Sequence, residues 1–176
     1  MSIEAAHINA FLESTQALFD TMIGLPVTFG TPKIKDGNQP YDISGIIGLS
    51  GDVVGSVVIG FDRDAAMKIV TEFTGEETQV DSPDFADAIG EVANMIAGGA
   101  KAKFAGMSVS IGCPSVITSP NHHVASPSAA ASITIPCETT AGRFQIEISF
   151  RSVASGAGQS GASEQRGTLG DQARRA

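Results

Sequence analysis

The sequence is poor in aromatic residues and in positive charge. It has no tryptophan and a single tyrosine, which leaves few flat rings on which nucleic-acid bases could stack. Its 11 lysines and arginines are outnumbered by 19 aspartates and glutamates, so the formal net charge is −8. A charge of this sign opposes binding to the phosphates of nucleic acids and of anionic lipids. We therefore expect neither nucleic acid nor a membrane as a partner.

Long hydrophobic runs and a secretory signal are also missing. No apolar stretch approaches the roughly 18–20 residues that span a bilayer. Residues 1–13 have neither the basic region nor the apolar core of a signal peptide. The two cysteines, Cys113 and Cys137, lie in apolar surroundings and match neither a C-x-x-C metal pair nor a disulfide framework. We expect reduced, buried thiols and a cytoplasmic protein.

What is present indicates one folded domain. Hydrophobic residues make up 42% of the 176 residues and charged residues 17%, which is typical of a globular chain with one core. We predict a single domain over residues 1–153. Residues 154–176 contain almost no large apolar side chain and are rich in glycine and serine, so we predict a flexible C-terminal tail.

The hydrophobic pattern predicts an α+β fold. Apolar residues at helical spacing, Met22 among them, predict a first helix over 3–23. Further helices are predicted over about 63–73 and 82–105. Strand-like runs cover 27–36, a hairpin at 41–61, and 107–117, 124–138 and 142–151. This order favours an antiparallel sheet with helices packed on one face.

The helix predicted over 82–105 carries the candidate site. Ser82 suits its N-cap and Pro83 its first helical position. At about 100° per residue, one face is apolar and should be buried, and it consists of Phe85, Ile89, Val92 and Ile96. The opposite face is polar and consists of Asp84, Asp87, Glu91, Asn94 and Gly98, with Gly90 and Ala97 beside it.

Three glycines in this helix need an explanation. Gly90, Gly98 and Gly99 each cost a helix about 0.5–1 kcal/mol relative to alanine. Their position beside a carboxylate and an amide suggests a face cleared for the approach of another molecule. The alternative is that the polar residues form the solvated outer face of an ordinary amphipathic helix.

Glu91 and Asn94 offer limited chemistry by themselves. An ionised glutamate can pair with a cation, and an asparagine can only donate and accept hydrogen bonds. Asp87 and Glu91 are too few for a divalent-ion site, and His122 and His123 lie in a turn-rich loop without further ligands. A glutamate and an asparagine one turn apart could instead complete a partner's active site, the glutamate pairing with a lysine and the asparagine holding a water. That arrangement suits acyl-phosphate hydrolysis, in which catalysis is mainly positioning.

The segment from Asp87 to Lys101 resembles the signature of the CheC–FliY–CheX chemotaxis phosphatases, an acidic residue or serine followed by E-x-x-N. The resemblance extends over about residues 5–151 and is greatest to CheX proteins. It is supported by the stretches DISGIIGLSG at 42–51, GSVVIGF at 55–61 and CPSVI at 113–117.

The resemblance implies hydrolysis of the aspartyl phosphate on a CheY-like receiver domain. Glu91 would form a salt bridge with the receiver's lysine and Asn94 would orient the attacking water. Asp84, Asp87, Gly90 and Gly98 would face the partner. The chain would need no cofactor of its own because Mg²⁺ belongs to the receiver, and it would form a homodimer with one E-x-x-N helix per subunit.

One departure from the family pattern is Gly99, which occupies a position where the family usually has asparagine. The chain has one good copy of the motif, because the first helix holds only Glu13-x-x-Gln16, whose amide is one methylene too long and which we interpret as surface. The alternative functions are a non-catalytic module that docks a receiver or another signalling partner, and a structural dimeric domain with a vestigial site.

Overall fold

In a computed structural model the described residues are 4–37, 39–125 and 132–153. These residues contain three α-helices, α1 Ala5–Leu18, α2 Arg63–Thr74 and α3 Pro83–Lys101. A π-helical turn over Phe19–Ile23 follows α1. The strands are β1 Val27–Phe29, β2 Lys33–Ile34, β3 Ile43–Gly51, β4 Val53–Phe61, β5 Val109–Ile111, β6 Ser115–Ile117, β7 Ser132–Thr139 and β8 Gly142–Ser152. The predicted tail at 154–176 lies outside the described residues.

The eight strands form one antiparallel sheet. Their spatial order is β1-β7-β8-β4-β3-β5, with β2 also paired to β7 and β6 also paired to β3. Pro32 separates β1 from β2, since proline has no amide hydrogen for the ladder. The helices pack on one face of the sheet, against rows of buried Ile, Val and Phe from β3, β4, β7 and β8. The predicted α+β architecture is confirmed.

Several predicted boundaries need correction. The run at 107–117 forms two short strands, β5 and β6, interrupted at Gly112–Pro114. The strand predicted over 124–138 is described as a strand only from Ser132, and residues 126–131 lie outside the described part of the chain. Met22, at helical spacing with the core residues of the first helix, is 53% exposed. The reason is the π turn, whose wider winding shifts the register of the residues that follow Leu18.

The hairpin between β3 and β4 turns where the sequence predicts. Gly51 has φ +105°, a conformation that L side chains rarely adopt, and a Cβ there would overlap the backbone of Ser108. Asp52 fixes the same corner, because its carboxylate accepts a hydrogen bond from the Ser108 amide at 2.7 Å. The turn of the hairpin is therefore held directly against the residue that precedes β5.

The sheet face opposite the helices carries a buried polar cluster. Glu147 is 1% exposed and forms an ion pair with Lys35 at 2.8 Å, while the Tyr41 hydroxyl donates to it at 3.1 Å. Burial, followed by the negative charge of Glu147, raises the pKa of Tyr41. The Tyr41 ring lies directly on Gly60, where a Cβ would overlap it. The cluster covers part of a sheet face that the alternating pattern of the strands alone would predict to be exposed to solvent.

The two cysteines occupy different environments. Cys137 is buried on β7, and burial raises the pKa of its thiol to about 12. Cys113 is exposed in the connection between β5 and β6, so the expectation of a buried thiol is wrong at this position. In the described ranges of the chain, no helix is long and apolar enough to cross a membrane.

Candidate functional site

Helix α3 begins as the sequence predicts and ends four residues earlier than expected, at Lys101. The Ser82 hydroxyl accepts a hydrogen bond from the Phe85 amide at 3.1 Å, Pro83 opens the helix, and Asp84 lies in the first turn. These features satisfy a free amide and place negative charge near the positive end of the helix dipole. The start of the helix is therefore firmly defined, and with it the register of every residue in the site.

The buried face of α3 is the predicted one. Its four apolar residues, Phe85, Ile89, Val92 and Ile96, have no exposed surface. The helix lies very close to the sheet at Gly45 of β3, where a Cβ would stand 2.7 Å from the Ala93 Cβ and 3.3 Å from the Ile89 carbonyl oxygen. Only a glycine in β3 permits this approach, which holds α3 rigidly on the sheet.

The polar face of α3 points away from the core. Asp84, Asp87 and Glu91 are exposed, whereas Asn94 and Gly98 are half-buried. Glu91 and Asn94 are three residues apart, which on a helix places their Cβ atoms about 5–6 Å from each other. Among the described residues, no hydrogen bond or ion pair engages the side chains of Glu91 and Asn94. Both groups are therefore available to a partner.

Gly90 and Gly99 serve packing inside the chain. Gly90 is buried beneath the β5–β6 connection, and a Cβ there would stand 3.3 Å from Pro114 Cγ and 3.5 Å from Val116 Cγ2. A Cβ on Gly99 would overlap the Ser14 hydroxyl of α1. The expectation that Gly90 faces a partner is therefore wrong, because the chain's own Pro114 occupies that space. Gly98 differs, since its nearest neighbour would be Ile111 Cδ1 at 3.7 Å.

The Glu13-x-x-Gln16 sequence of α1 is already engaged within the chain. Glu13 forms an exposed ion pair with Lys103 at 2.6 Å. Gln16 donates to the Asp20 carboxylate at 2.8 Å. Both side chains lie at the surface. Unlike Glu91 and Asn94 of α3, both already have partners within the described part of the chain.

The described residues hold no group of three or more His, Cys, Asp or Glu side chains that could bind a metal ion. His122 is bound instead to its own loop and to the sheet: its Nδ1 lies 2.6 Å from the Ser119 carbonyl oxygen and its Nε2 lies 2.7 Å from Ser44 Oγ. A cavity of about 460 Å³ lies beside Lys35 and Tyr41 and is lined by no α3 residue. The site on α3 is the outer side of a helix, which is a convex surface.

Sequence reasoning missed Ser14. This residue lies on the buried face of α1, three residues after Phe11 and four before Leu18, and it is 6% exposed. Its hydroxyl donates to the Ile96 carbonyl oxygen of α3 at 2.8 Å. The available signal was a serine at an apolar position of an amphipathic helix, because a buried hydroxyl needs a hydrogen-bond partner.

Known proteins are similar to this chain along most of its length. Residues 43–138 match the family model described as chemotaxis phosphatase CheX. The CheY-P phosphatase CheX of Thermotoga maritima is 29% identical over 121 residues, which are 66% of this chain and 77% of that protein. The chemotaxis protein CheX of Desulfovibrio desulfuricans is 31% identical with a TM-score of 0.77, covering 84% of this chain and 99% of that structure.

One similar structure is a complex. It is the CheX–CheY–BeF3–Mg²⁺ complex of Borrelia burgdorferi, 23% identical with a TM-score of 0.70, and the match covers 82% of this chain and 97% of that chain. At this identity the likeness concerns the fold. The match of the family model to more than half of the sequence, on a fold shared with CheX structures, shows that this chain belongs to the CheX family of chemotaxis phosphatases.

Proposed function

We propose that this protein hydrolyses the aspartyl phosphate of a CheY-like receiver domain, with Glu91 and Asn94 of α3 entering the receiver's active site. The observation that carries the proposal is the pair itself. Two polar side chains one turn apart point outward from a rigid helix and have no partner among the described residues. A convex helix face suits insertion into the site of another protein, whereas a small substrate would need a concave pocket.

Glu91 is proposed to bind the receiver. Its carboxylate is exposed and would form a salt bridge with the receiver's active-site lysine. Asp84 and Asp87 lie on the same face and extend the negative surface toward the start of the helix. Gly98 lies on the other side of Asn94 and leaves room for the receiver's backbone, since only Ile111 stands near its missing side chain.

Asn94 is proposed to orient the attacking water. Its amide can accept one hydrogen bond from the water and donate others, but it cannot act as a base. The water oxygen attacks phosphorus as the bond to the aspartyl oxygen breaks, and the carboxylate leaves without requiring a proton. The proton of the water passes to the phosphate product or to solvent. Positioning is therefore the main contribution that an amide can make to this reaction.

Mg²⁺ is proposed to come from the receiver. The carboxylates of α3 are spread along one helix and are too few for an all-protein cation site. The B. burgdorferi complex contains CheY and Mg²⁺ together with CheX. We also propose that the protein acts as a homodimer, as its resemblance to CheX implies, and analytical ultracentrifugation would show a single species of twice the chain mass.

Saturation kinetics with a phosphorylated receiver tests the two roles separately. Asn94→Ala should lower kcat by about 10²-fold or more and change KM by less than about threefold, because the chemical step loses its water-orienting group. Asn94→Gln should also be slow, since its amide lies one methylene further out. Glu91→Ala should raise KM by about tenfold, the equivalent of losing one modest interfacial ion pair.

Gln16→Ala, in the similar sequence of α1, is the matched control and should behave as wild type. Wild-type rates in both Glu91→Ala and Asn94→Ala would contradict the assigned roles. Binding of the receiver without any acceleration by the wild-type protein would favour the docking module instead.

A further inference from the structure

Helix α1 packs against α3, and the buried side chain of Ser14 makes a polar contact with α3 close to Asn94. The Ser14 hydroxyl donates to the Ile96 carbonyl oxygen at 2.8 Å and lies 3.4 Å from the Met95 carbonyl oxygen. These carbonyls belong to the two residues that follow Asn94 in the chain. Ser14 therefore touches the backbone of the site helix, and its polar contact is with α3 rather than with its own helix.

The contact requires a glycine at position 99. A Cβ on Gly99 would overlap the Ser14 hydroxyl oxygen and would stand 3.1 Å from the Ser14 Cβ. The adjacent Gly98 is in open space by comparison, with its nearest neighbour, Ile111 Cδ1, at 3.7 Å. The two neighbouring glycines thus differ in their surroundings, and of the two only Gly99 lies against α1.

Three close contacts hold α3 around Asn94. Gly45 lies beneath Ala93, Pro114 covers Gly90, and Ser14 meets Gly99. All three α3 positions lie within five residues of Asn94, and they face the sheet, the β5–β6 connection and α1. An overlap introduced at one such contact is transmitted along a close-packed helix, because its neighbours leave little free volume for local adjustment.

We propose that Ser14 is a positioning residue: through Gly99 it sets the placement of α3 and hence of the Asn94 amide. The inference rests on the proposed function of Asn94. A displacement of about 1 Å at a water-orienting group can cost about 10²-fold in rate. A methyl group at position 99 would break the Ser14 hydrogen bond to the Ile96 carbonyl oxygen or move α3, because the space that it needs is occupied by the Ser14 hydroxyl.

The test uses three variants of the full chain and one control. Gly99→Ala introduces the methyl group on α3. The double variant Ser14→Gly/Gly99→Ala keeps this methyl group but removes the Ser14 side chain that it would overlap. Ser14→Ala removes only the hydroxyl. Ile135→Val removes one buried methyl group from β7, away from α3, and controls for loss of stability alone. Each protein is measured for kcat and KM on a phosphorylated receiver and for the NMR signal of the Asn94 side-chain amide.

Gly99→Ala should lower kcat by about tenfold to a hundredfold with KM within about twofold, and the double variant should recover most of this loss. The Asn94 amide signal should move in Gly99→Ala and return in the double variant. If Gly99→Ala does not fold, Ser14→Ala keeps the test decisive, with a kcat loss of about threefold or more and a shifted Asn94 signal.

Unchanged Asn94 signals in Gly99→Ala, or in Ser14→Ala where the former does not fold, would overturn the inference. A kcat loss equal to that of Ile135→Val would overturn it as well. An inactive wild-type protein would instead overturn the proposed function, and the Asn94 signal would still decide whether Ser14 positions this side chain.

Discussion

At the scale of single residues, Glu91 and Asn94 differ in burial although one helical turn separates them. Glu91 is exposed, so its charge stays hydrated until a partner supplies a cation, whereas Asn94 is half-buried among its neighbours. Partial burial restricts the rotamers of the amide, which favours a group whose function is orientation. This difference fits the proposed roles, in which the charged group serves recognition and the restricted amide serves the chemical step.

Removing either side chain should leave the fold intact. Glu91→Ala and Asn94→Ala should each change the free energy of unfolding by less than about 0.5 kcal/mol, because neither side chain has a partner among the described residues. Thermal melting followed by circular dichroism measures this. An unfolded variant would contradict the placement of these residues, whereas Val92→Asp, on the fully buried face, should unfold the domain.

The two lysine–glutamate pairs should differ strongly in their effect on stability. The side chains of Lys35 and Glu147 are 8% and 1% exposed, whereas those of Lys103 and Glu13 are 45% and 62% exposed. Lys35→Ala should cost about 3 kcal/mol or more, because a buried carboxylate loses its cation. Lys103→Ala should cost less than about 1 kcal/mol. Urea unfolding of both variants makes the comparison, and equal losses would contradict the buried cluster.

At the scale of elements, the adjacent glycines of α3 offer a paired test. Gly98→Ala should stabilise the protein by about 0.5–1 kcal/mol, because alanine favours the helix and its methyl group meets only Ile111. Gly99→Ala makes the same change in helix propensity but should lower stability, since the methyl group meets Ser14. Melting temperatures that rise in both variants would show that α1 and α3 are not in close contact.

The elements themselves show what sequence reasoning can reach. The two faces of α3 and the ends of α2 follow from local periodicity and from Asp62 and Gly75, so they could be predicted. The functions of Gly90 and Gly99 could not be predicted, because Pro114 and Ser14 are distant in sequence and meet them only in the folded chain. A glycine in a helix signals a close approach without identifying the neighbour.

The same limit applies to the sheet. The alternation in β8 predicts an apolar face and a polar face, and both are observed. The burial of Glu147 on the polar face depends on Lys35 and Tyr41, which approach from the segment before β3. No pattern within β8 indicates that cover, because alternation describes one strand and not what lies over it.

At the scale of the whole molecule, the buried Cys137 thiol and Tyr41 hydroxyl predict that the free energy of unfolding falls at alkaline pH. Burial raises the pKa of Cys137 from 9.0 to about 12, and burial and Glu147 raise that of Tyr41. The folded state therefore keeps protons that the unfolded chain releases, so this contribution to stability is complete below about pH 9 and is lost as the pH rises toward 12.

Urea unfolding at several values between about pH 8 and 11 measures this loss, which should approach 1 kcal/mol per pH unit for each group. Cys137→Ala removes one of the two groups and should give a shallower decline, even though its stability at neutral pH is lower. Equal slopes for wild type and variant would contradict the burial of the thiol.

At the same scale, the shape of the site fits the proposed kind of substrate. The polar pair stands on the convex outer side of a helix, and the cavity of about 460 Å³ lies elsewhere, beside Lys35 and Tyr41. In the proposed function the helix contributes two side chains, and the partner supplies the phosphoryl group and the cation. Family membership and this geometry lead to the same class of substrate, a phosphorylated receiver domain.

The most direct test is the lifetime of the phosphoryl group on a CheY-like receiver, followed with a catalytic amount of this protein. Wild-type protein should shorten the lifetime at least about tenfold, and Asn94→Ala, folded and at the same concentration, should leave it at the value for the receiver alone. Equal acceleration by wild type and Asn94→Ala would contradict the account, because the water-orienting amide would then be dispensable.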